Sequence, residues 1–166
     1  MMKIYIVGIV ASGKTTLAKE LSAKIKIPKF ELDSIVHDDE NNGRKRSLEE
    51  QLKIIYDINN KKDWIIEGTH RKNLDELFIL ADKIIYLDIP LSKRRLRIFK
   101  RYIKQKIGLE KCSYNPNFKM LKMMYKWTND FEKNKSELEG KLSKYKNKIV
   151  RSNSNNINII LQELDI

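Results

Sequence analysis

Gly8-Ile9-Val10-Ala11-Ser12-Gly13-Lys14-Thr15-Thr16 is the stretch on which the reading of this chain turns. It fits the pattern G-x-x-x-x-G-K-[ST]. The two glycines let the backbone curl tightly, so that the successive amides of Ala11–Thr16 point inward at phosphate oxygens. A helix beginning there adds the positive end of its dipole. Lys14 then reaches the β- and γ-phosphates of a nucleotide, and Thr15 offers its hydroxyl to Mg²⁺. The flanks agree with this. Lys3–Val7 reads as a buried strand, and Lys14–Ile25 places Leu17, Ala18, Leu21 and Ile25 at helical spacing.

The same alternation continues outward. Lys29–Leu32 reads as a second strand and Trp64–Glu67 as a third. Lys83–Asp88 is a fourth and Lys148–Arg151 a fifth. Between them, Ser47 with Glu50 forms a capping-box signature for a helix over Leu48–Ile58. A short helix is expected near Leu74–Leu80, a basic one capped by Ser92 runs to about Lys106, and Asn156–Leu164 closes the chain. Leu121, Tyr125, Thr128, Phe131, Leu138, Leu142 and Tyr145 trace one face of a long helix or helix pair. The polar segment His37–Arg46 reads as mobile, and a loop covers Gly108–Asn117. Strands alternating with helices predict an α/β fold with a parallel sheet covered on both faces. Right-handed crossovers bring the carboxyl ends of its strands to one rim, where ligands gather.

The chain has 166 residues, enough for one domain over 1–166, and carries 34 basic against 22 acidic residues, a formal charge of +12. Such a balance draws anions such as nucleotides, nucleic acid or acidic membrane surfaces, though a membrane-surface role gains no specific support from the sequence. The bland alternative is a lysine excess written by an AT-rich coding sequence, to which the crowding of Ile and Asn also points. A single cysteine, Cys112, excludes an internal disulfide, so a reducing cytoplasm is expected. No stretch approaches the roughly 18 apolar residues that span a bilayer, and no membrane partner is expected.

Three classes of protein share the phosphate loop: GTPase switches, large ATP-driven motors and small-molecule kinases. Asn60-Lys61-Lys62-Asp63 fits the guanine-reading N-K-x-D, but it ends a helix where that motif should follow a strand. No D-x-x-G stands at the third strand. The motor class lacks its apolar strand ending in Asp with a following Glu. The kinase reading rests on three further groups at the rim. Asp33, directly after the second strand, can face a magnesium-bound water or an acceptor hydroxyl; a helix N-cap is its structural alternative. In Glu67-Gly68-Thr69-His70-Arg71, Glu67 can support the metal, Gly68 permits close backbone approach, and Arg71 can clamp an acceptor's anionic group. A surface salt bridge competes for Arg71. The third group is Lys93–Arg101. Arg94, Arg97 and Arg101 are three and four residues apart, hence on one helical stripe. Arg97 and Arg101 are expected to bind ATP and to neutralise charge on the transferring phosphoryl, with a solvated face as the alternative.

These residues resemble adenylate kinase and its smaller relatives across nearly the whole chain. Glu67-Gly68-Thr69-His70-Arg71 is similar to their D-G-[FY]-P-R, and Asp88-Ile89-Pro90 to their D-x-P. Arg97 and Arg101 fall at the spacing of lid arginines that contact ATP. Glu67 stands for Asp and His70 for Pro, and no separate lid insertion is present. The pattern is nearer to the topology-modulation (FlaR-type) proteins, through Leu32-Asp33, Trp64–Gly68, Ala81–Asp88 and Arg94–Arg101. The resemblance implies a three-layer α/β/α phosphate-loop fold with strand order 2-3-1-4-5 and a small mobile basic lid over about 91–118.

It also implies transfer of ATP's γ-phosphoryl group to a small acceptor. Lys14, Arg97, Arg101 and Asp33 would be catalytic; Gly8, Ala11, Ser12, Gly13, Lys14, Thr15 and Thr16 would hold the nucleotide with the two arginines. Asp33, Glu67 and Arg71 would face the acceptor, and Thr15 with Asp33 or Glu67 would carry Mg²⁺. The adenine is expected between the basic helix and Ser152–Asn155. A nucleotide-dependent DNA-binding role is the alternative, supported by the net charge and the unbroken basic run Lys93–Lys106.

Overall fold

Every residue from Ile4 to Val7 is fully buried, because the first strand lies at the centre of the molecule. The computed structural model describes residues 2–110 and 116–164. Strand β1 (Lys3–Gly8) pairs in parallel with β3 (Trp64–Gly68) on one side and β4 (Lys83–Leu87) on the other. β2 (Lys29–Glu31) extends the sheet beyond β3, and β5 (Ile149–Ser152) beyond β4. Counted along the chain, the five parallel strands lie in the order 2-3-1-4-5, as expected.

Alternation along β1 sorts the helices into two layers. Ile4 and Ile6 pack with Leu17, Ala18 and Leu21 of α1 (Lys14–Ile25) and with Ile160 and Leu161 of α7 (Ile157–Leu164). Tyr5 and Val7 face the other way. They meet Ile35 of α2 (Leu32–Val36), Ile55 of α3 (Leu48–Asn59), Phe78 of α4 (Glu76–Leu80) and Leu138 of α6 (Phe118–Leu142). Burying each such aliphatic side chain stabilises the fold by about 1.5–3 kcal/mol relative to exposure. The sheet is therefore apolar on both faces, as parallel sheets require.

Local signals explain several element ends. Ser47 Oγ accepts from the Glu50 amide at 3.2 Å while Glu50 accepts from the Ser47 amide at 2.6 Å, the reciprocal cap read from the sequence. Ser92 does not cap α5 (Leu91–Lys106). Pro90 occupies the cap position, where its fixed φ and missing N–H suit the chain's entry into a helix, and Ser92 lies inside the first turn. The second strand ends one residue early, because Leu32 opens α2, a helix not anticipated. His37–Arg46 contains a two-residue antiparallel ladder pairing His37–Asp38 with Arg44–Lys45. Arg46 pins it, donating to the carbonyls of Ser34 at 2.7 Å and His37 at 2.6 Å and facing Asp38 at 3.0 Å. Of the long helix or helix pair expected after 117, the structure has the single long helix α6, and Tyr145 belongs to a 3-10 segment after it.

Charge fixes α6 across the rim. Glu132 pairs with Arg94, Lys135 with Asp88 at 2.6 Å, Glu139 with Arg151 at 2.8 Å and Lys141 with Asp75 at 2.8 Å. These partners come from α5, the ends of β4 and β5 and the approach to α4, so one helix ties four parts of the molecule together.

Candidate active site

The loop after β1 forms the tight turn its glycines promised. Gly13 holds φ +94°, and a Cβ there would lie 2.9 Å from Asn155 Cγ and 3.2 Å from Arg97 Nη1. Ala11 adopts φ +61°, a left-handed conformation costing a non-glycine residue about 1–2 kcal/mol. Lys14 Nζ donates to the Ile9 carbonyl at 3.1 Å, folded back along the loop. Loss of hydration lowers the Lys14 pKa, opposed by the carboxylates of Glu67 and Asp33. Ser12 is fully buried, and its Oγ has no hydrogen-bond partner.

Glu67 stands at the end of β3, 4% exposed, and accepts the Thr15 hydroxyl at 2.6 Å. Burial pushes its carboxyl above the usual range, while the Thr15 bond and the Lys14 ammonium act in the opposite direction. Gly68 follows because the backbone needs room. A Cβ there would sit 2.4 Å from Leu32 Cβ, so the close approach it permits is that of α2's first turn. That turn carries Asp33. Its carboxylate accepts from Arg71 Nη2 at 2.8 Å, both groups being substantially exposed. Asp33 makes no N-cap: the α2 cap is Glu31, which has no side-chain cap bond. Two acceptor-side candidates, from segments 38 residues apart, are thus brought together.

The arginine stripe divides. Arg97 crosses to the phosphate loop, its Nη1 donating to the carbonyls of Ser12 at 2.8 Å and Ala11 at 3.3 Å and its Nη2 to Asn155 Oδ1 at 2.7 Å. This bond joins α5 directly to the loop after β5, the two elements between which adenine was expected. Arg101, one turn further on, faces Glu110 at 3.1 Å, and none of its described bonds reaches the loop. Arg94 is 1% exposed, donates Nε to the Ile89 carbonyl at 2.8 Å, pairs with Glu132 and lies over the Phe131 ring. It is a structural clamp between α5 and α6, because helical spacing aligns it with Arg97 without saying which neighbour each meets.

Other residues at the rim were assigned no role from the sequence. Thr69, His70, Phe131, Asn134 and Glu137 line a pocket beside Gly8. His70 lies 4.6 Å from the Phe78 ring, with Nε2 3.0 Å from Asp75 Oδ1. Its pKa falls to about 4, chiefly through burial and with Lys141 also lowering it, against the carboxylates of Asp75 and Glu137. Asn134 and Glu137 belong to a helix face the sequence marks only as polar. Asp88, after β4, receives Lys135 and Arg151 at 2.6 Å and 2.5 Å; burial raises its pKa, but these donors outweigh it and the net shift is downward. Cys112 lies outside the described residues.

The donor set suits a nucleotide with Mg²⁺. The loop offers the start of α1 and the Lys14 ammonium and has no carboxylate of its own. Thr15 and Glu67 supply adjacent hard oxygens, and Mg²⁺ ordinarily completes its octahedron with waters and phosphate oxygens. No cluster of three or more His, Cys, Asp or Glu among the described residues forms an all-protein metal cage.

No family model matches the chain. A shikimate kinase of Clostridium botulinum (strain ATCC 19397 / Type A) is 27% identical over 140 residues, covering 76% of this chain and 79% of that protein. The solved shikimate kinase of Acinetobacter baumannii in complex with shikimate superposes with TM-score 0.60 at 15% identity, covering 99% of this chain and 94% of that one. The fold is that of the phosphate-loop small-molecule kinases. A gluconokinase from Sinorhizobium meliloti 1021 shares it, with TM-score 0.51 at 13% identity over 98% of this chain and 88% of that one. No helix among the described residues is long and apolar enough to cross a membrane.

Proposed function

We propose that the chain is an ATP-dependent phosphotransferase acting on a small hydroxylated metabolite that carries an anionic group. The observation that carries this reading is the convergence on one rim of the phosphate loop, the Thr15–Glu67 pair, Arg97 and the Asp33–Arg71 pair. Kinase is also the name borne by the similar proteins, whose named substrates, shikimate and gluconate, are both small hydroxylated carboxylates.

In this reading the loop amides and Lys14 hold the phosphates, and Thr15 with Glu67 holds Mg²⁺. The bound metal would neutralise phosphate charge. Arg71 releases part of its hold on Asp33 to grip the acceptor's anionic group. Asp33 is then free to receive the proton of the attacking hydroxyl. The acceptor oxygen forms its bond to the γ-phosphorus as the bond to the β,γ-bridging oxygen breaks, leaving ADP and a phosphate ester. Arg97, already at the loop, turns from the Ser12 and Ala11 carbonyls toward the transferring group. Arg101 joins it only after leaving Glu110, which would make the carboxyl half of α5 the moving part of the lid; residues 111–115 of the expected lid region 91–118 lie outside the described residues. Arg94 anchors the other half.

The finer resemblance to topology-modulation proteins rests on Leu32-Asp33, Trp64–Gly68, Ala81–Asp88 and Arg94–Arg101, and nothing in the site favours DNA as the substrate. An ATP-consumption screen over hydroxylated carboxylates, sugar acids, nucleosides and nucleoside monophosphates tests the proposal. Turnover with at least one acceptor, dependent on Lys14 and Asp33, is expected. ATP-independent phosphate binding with no turnover across the panel would overturn it.

A further inference from the structure

Residues 91–127 hold twelve of the chain's Lys and Arg and a single Glu, so they carry eleven of its twelve net positive charges. The remaining 22 basic and 21 acidic residues nearly cancel. A lysine excess written by coding bias would spread along the chain, and this one does not. It sits on α5, the start of α6 and the segment between them.

The same place carries most of the uncovered apolar surface. Seven of the eleven large hydrophobics exposed among the described residues fall between Leu96 and Trp127. On α5 they are ordered. Arg94, Ile98 and Gln105 face inward and are buried, and Arg97 meets the phosphate loop. Leu96, Phe99, Ile103 and Ile107 recur at intervals of three and four residues and are 41–62% exposed. At about 100° per residue they cluster directly opposite the buried side. Exposed Lys100 and Lys104 border this stripe on one edge and exposed Arg95 and Lys106 on the other. Leu109, 75% exposed, continues it past the helix end.

The chemistry selects one occupant. A second copy would bring eleven further positive charges to the contact and be repelled. Nucleic acid would want stacking platforms and side chains able to read base or sugar edges, whereas the stripe is mostly aliphatic and its only polar groups are the flanking cations. An apolar stripe edged on both sides by long basic side chains matches an anionic bilayer surface. The apolar groups enter the acyl boundary and the ammonium and guanidinium heads remain at the phosphates.

We infer that the outer face of α5 docks on the surface of an anionic lipid membrane. This departs from the expectation of no membrane partner, in which a membrane-surface role had no specific support from the sequence. The inference stands independently of the proposed reaction. Arg97 lies outside the stripe on the flank of α5 that meets the phosphate loop, so a docked helix would leave that arginine directed at the loop.

Co-sedimentation of the full chain with vesicles tests this, using phosphatidylcholine alone and phosphatidylcholine with phosphatidylglycerol. Partitioning onto the mixed vesicles only is expected. Ile103→Glu, on the stripe, should lower it about tenfold or more, given the apolar area withdrawn. Lys24→Gln, an equal change of charge on exposed α1, should alter it less than about twofold. A melting temperature unchanged in both variants checks that the fold is kept. The inference is overturned by failure to bind the mixed vesicles, by equal effects of the two substitutions, or by single-stranded DNA that displaces the vesicles completely.

Discussion

Replacing Arg94 with Met separates a structural arginine from a catalytic one. The substitution keeps the aliphatic stem but removes the guanidinium that donates to the Ile89 carbonyl, pairs with Glu132 and covers Phe131. Breaking a buried ion pair costs roughly 3–5 kcal/mol, because the surviving charge is left without its partner. Glu132 is 35% exposed, so water recovers part of that loss and about 3 kcal/mol is the better figure. At about 2–4 °C per kcal/mol for a chain of this size, the melting temperature should fall by about 6–12 °C. ATP affinity, measured by calorimetry below that transition, should stay within about twofold. Arg97→Met should do the reverse. Its guanidinium contacts are only partly buried, so stability should change by about 1–2 kcal/mol, while turnover falls by about a hundredfold. An Arg94→Met protein that melts like the parent but loses turnover would refute this division of labour.

Three other outcomes follow from the same contacts. Gly13→Ala places a side chain where φ is +94° and Asn155 is 2.9 Å away, so MgATP affinity by calorimetry should fall at least about tenfold; an unchanged affinity would mean that the loop adjusts freely. Arg71→Met should raise the acceptor's KM about tenfold while the KM for ATP stays within about twofold, and a parallel rise in both would deny Arg71 its acceptor-side place. Folded His70 resists protonation down to about pH 4, whereas the unfolded chain takes up its proton near pH 6.5. Its contribution to stability is therefore full above that value and is lost as the pH falls through this window, by up to about 1.4 kcal/mol per pH unit. Urea melts at several pH values should show a shallower decline for His70→Phe, and identical slopes would contradict the assignment.

The order of the sheet was legible because its three central strands are short apolar runs alternating with amphipathic segments, and the phosphate loop because its pattern sits in the required strand–helix context. The capping box at Ser47 was equally local. What escaped depends on contacts distant in sequence. Leu32-Asp33 reads as the end of a strand, yet Leu32 turns into a helix by packing on Gly68, a residue 36 positions away. Arg94 and Arg97 share a stripe, and only the position of Glu132 on α6 sends one of them into the core. His70, Asn134 and Glu137 gather beside Gly8 because ion pairs fix α6 over the rim, and no short motif encodes such a register.

Titration calorimetry of MgATP into the parent chain and into Lys14→Ala tests the central claim most directly. Lys14 lies half-buried in the loop with its ammonium on the Ile9 carbonyl, and loss of hydration lowers its pKa, so phosphate oxygens would be better partners for it. Saturable one-to-one binding by the parent and no measurable binding by the variant is the predicted result. Tight binding that survives the loss of this ammonium would contradict the account.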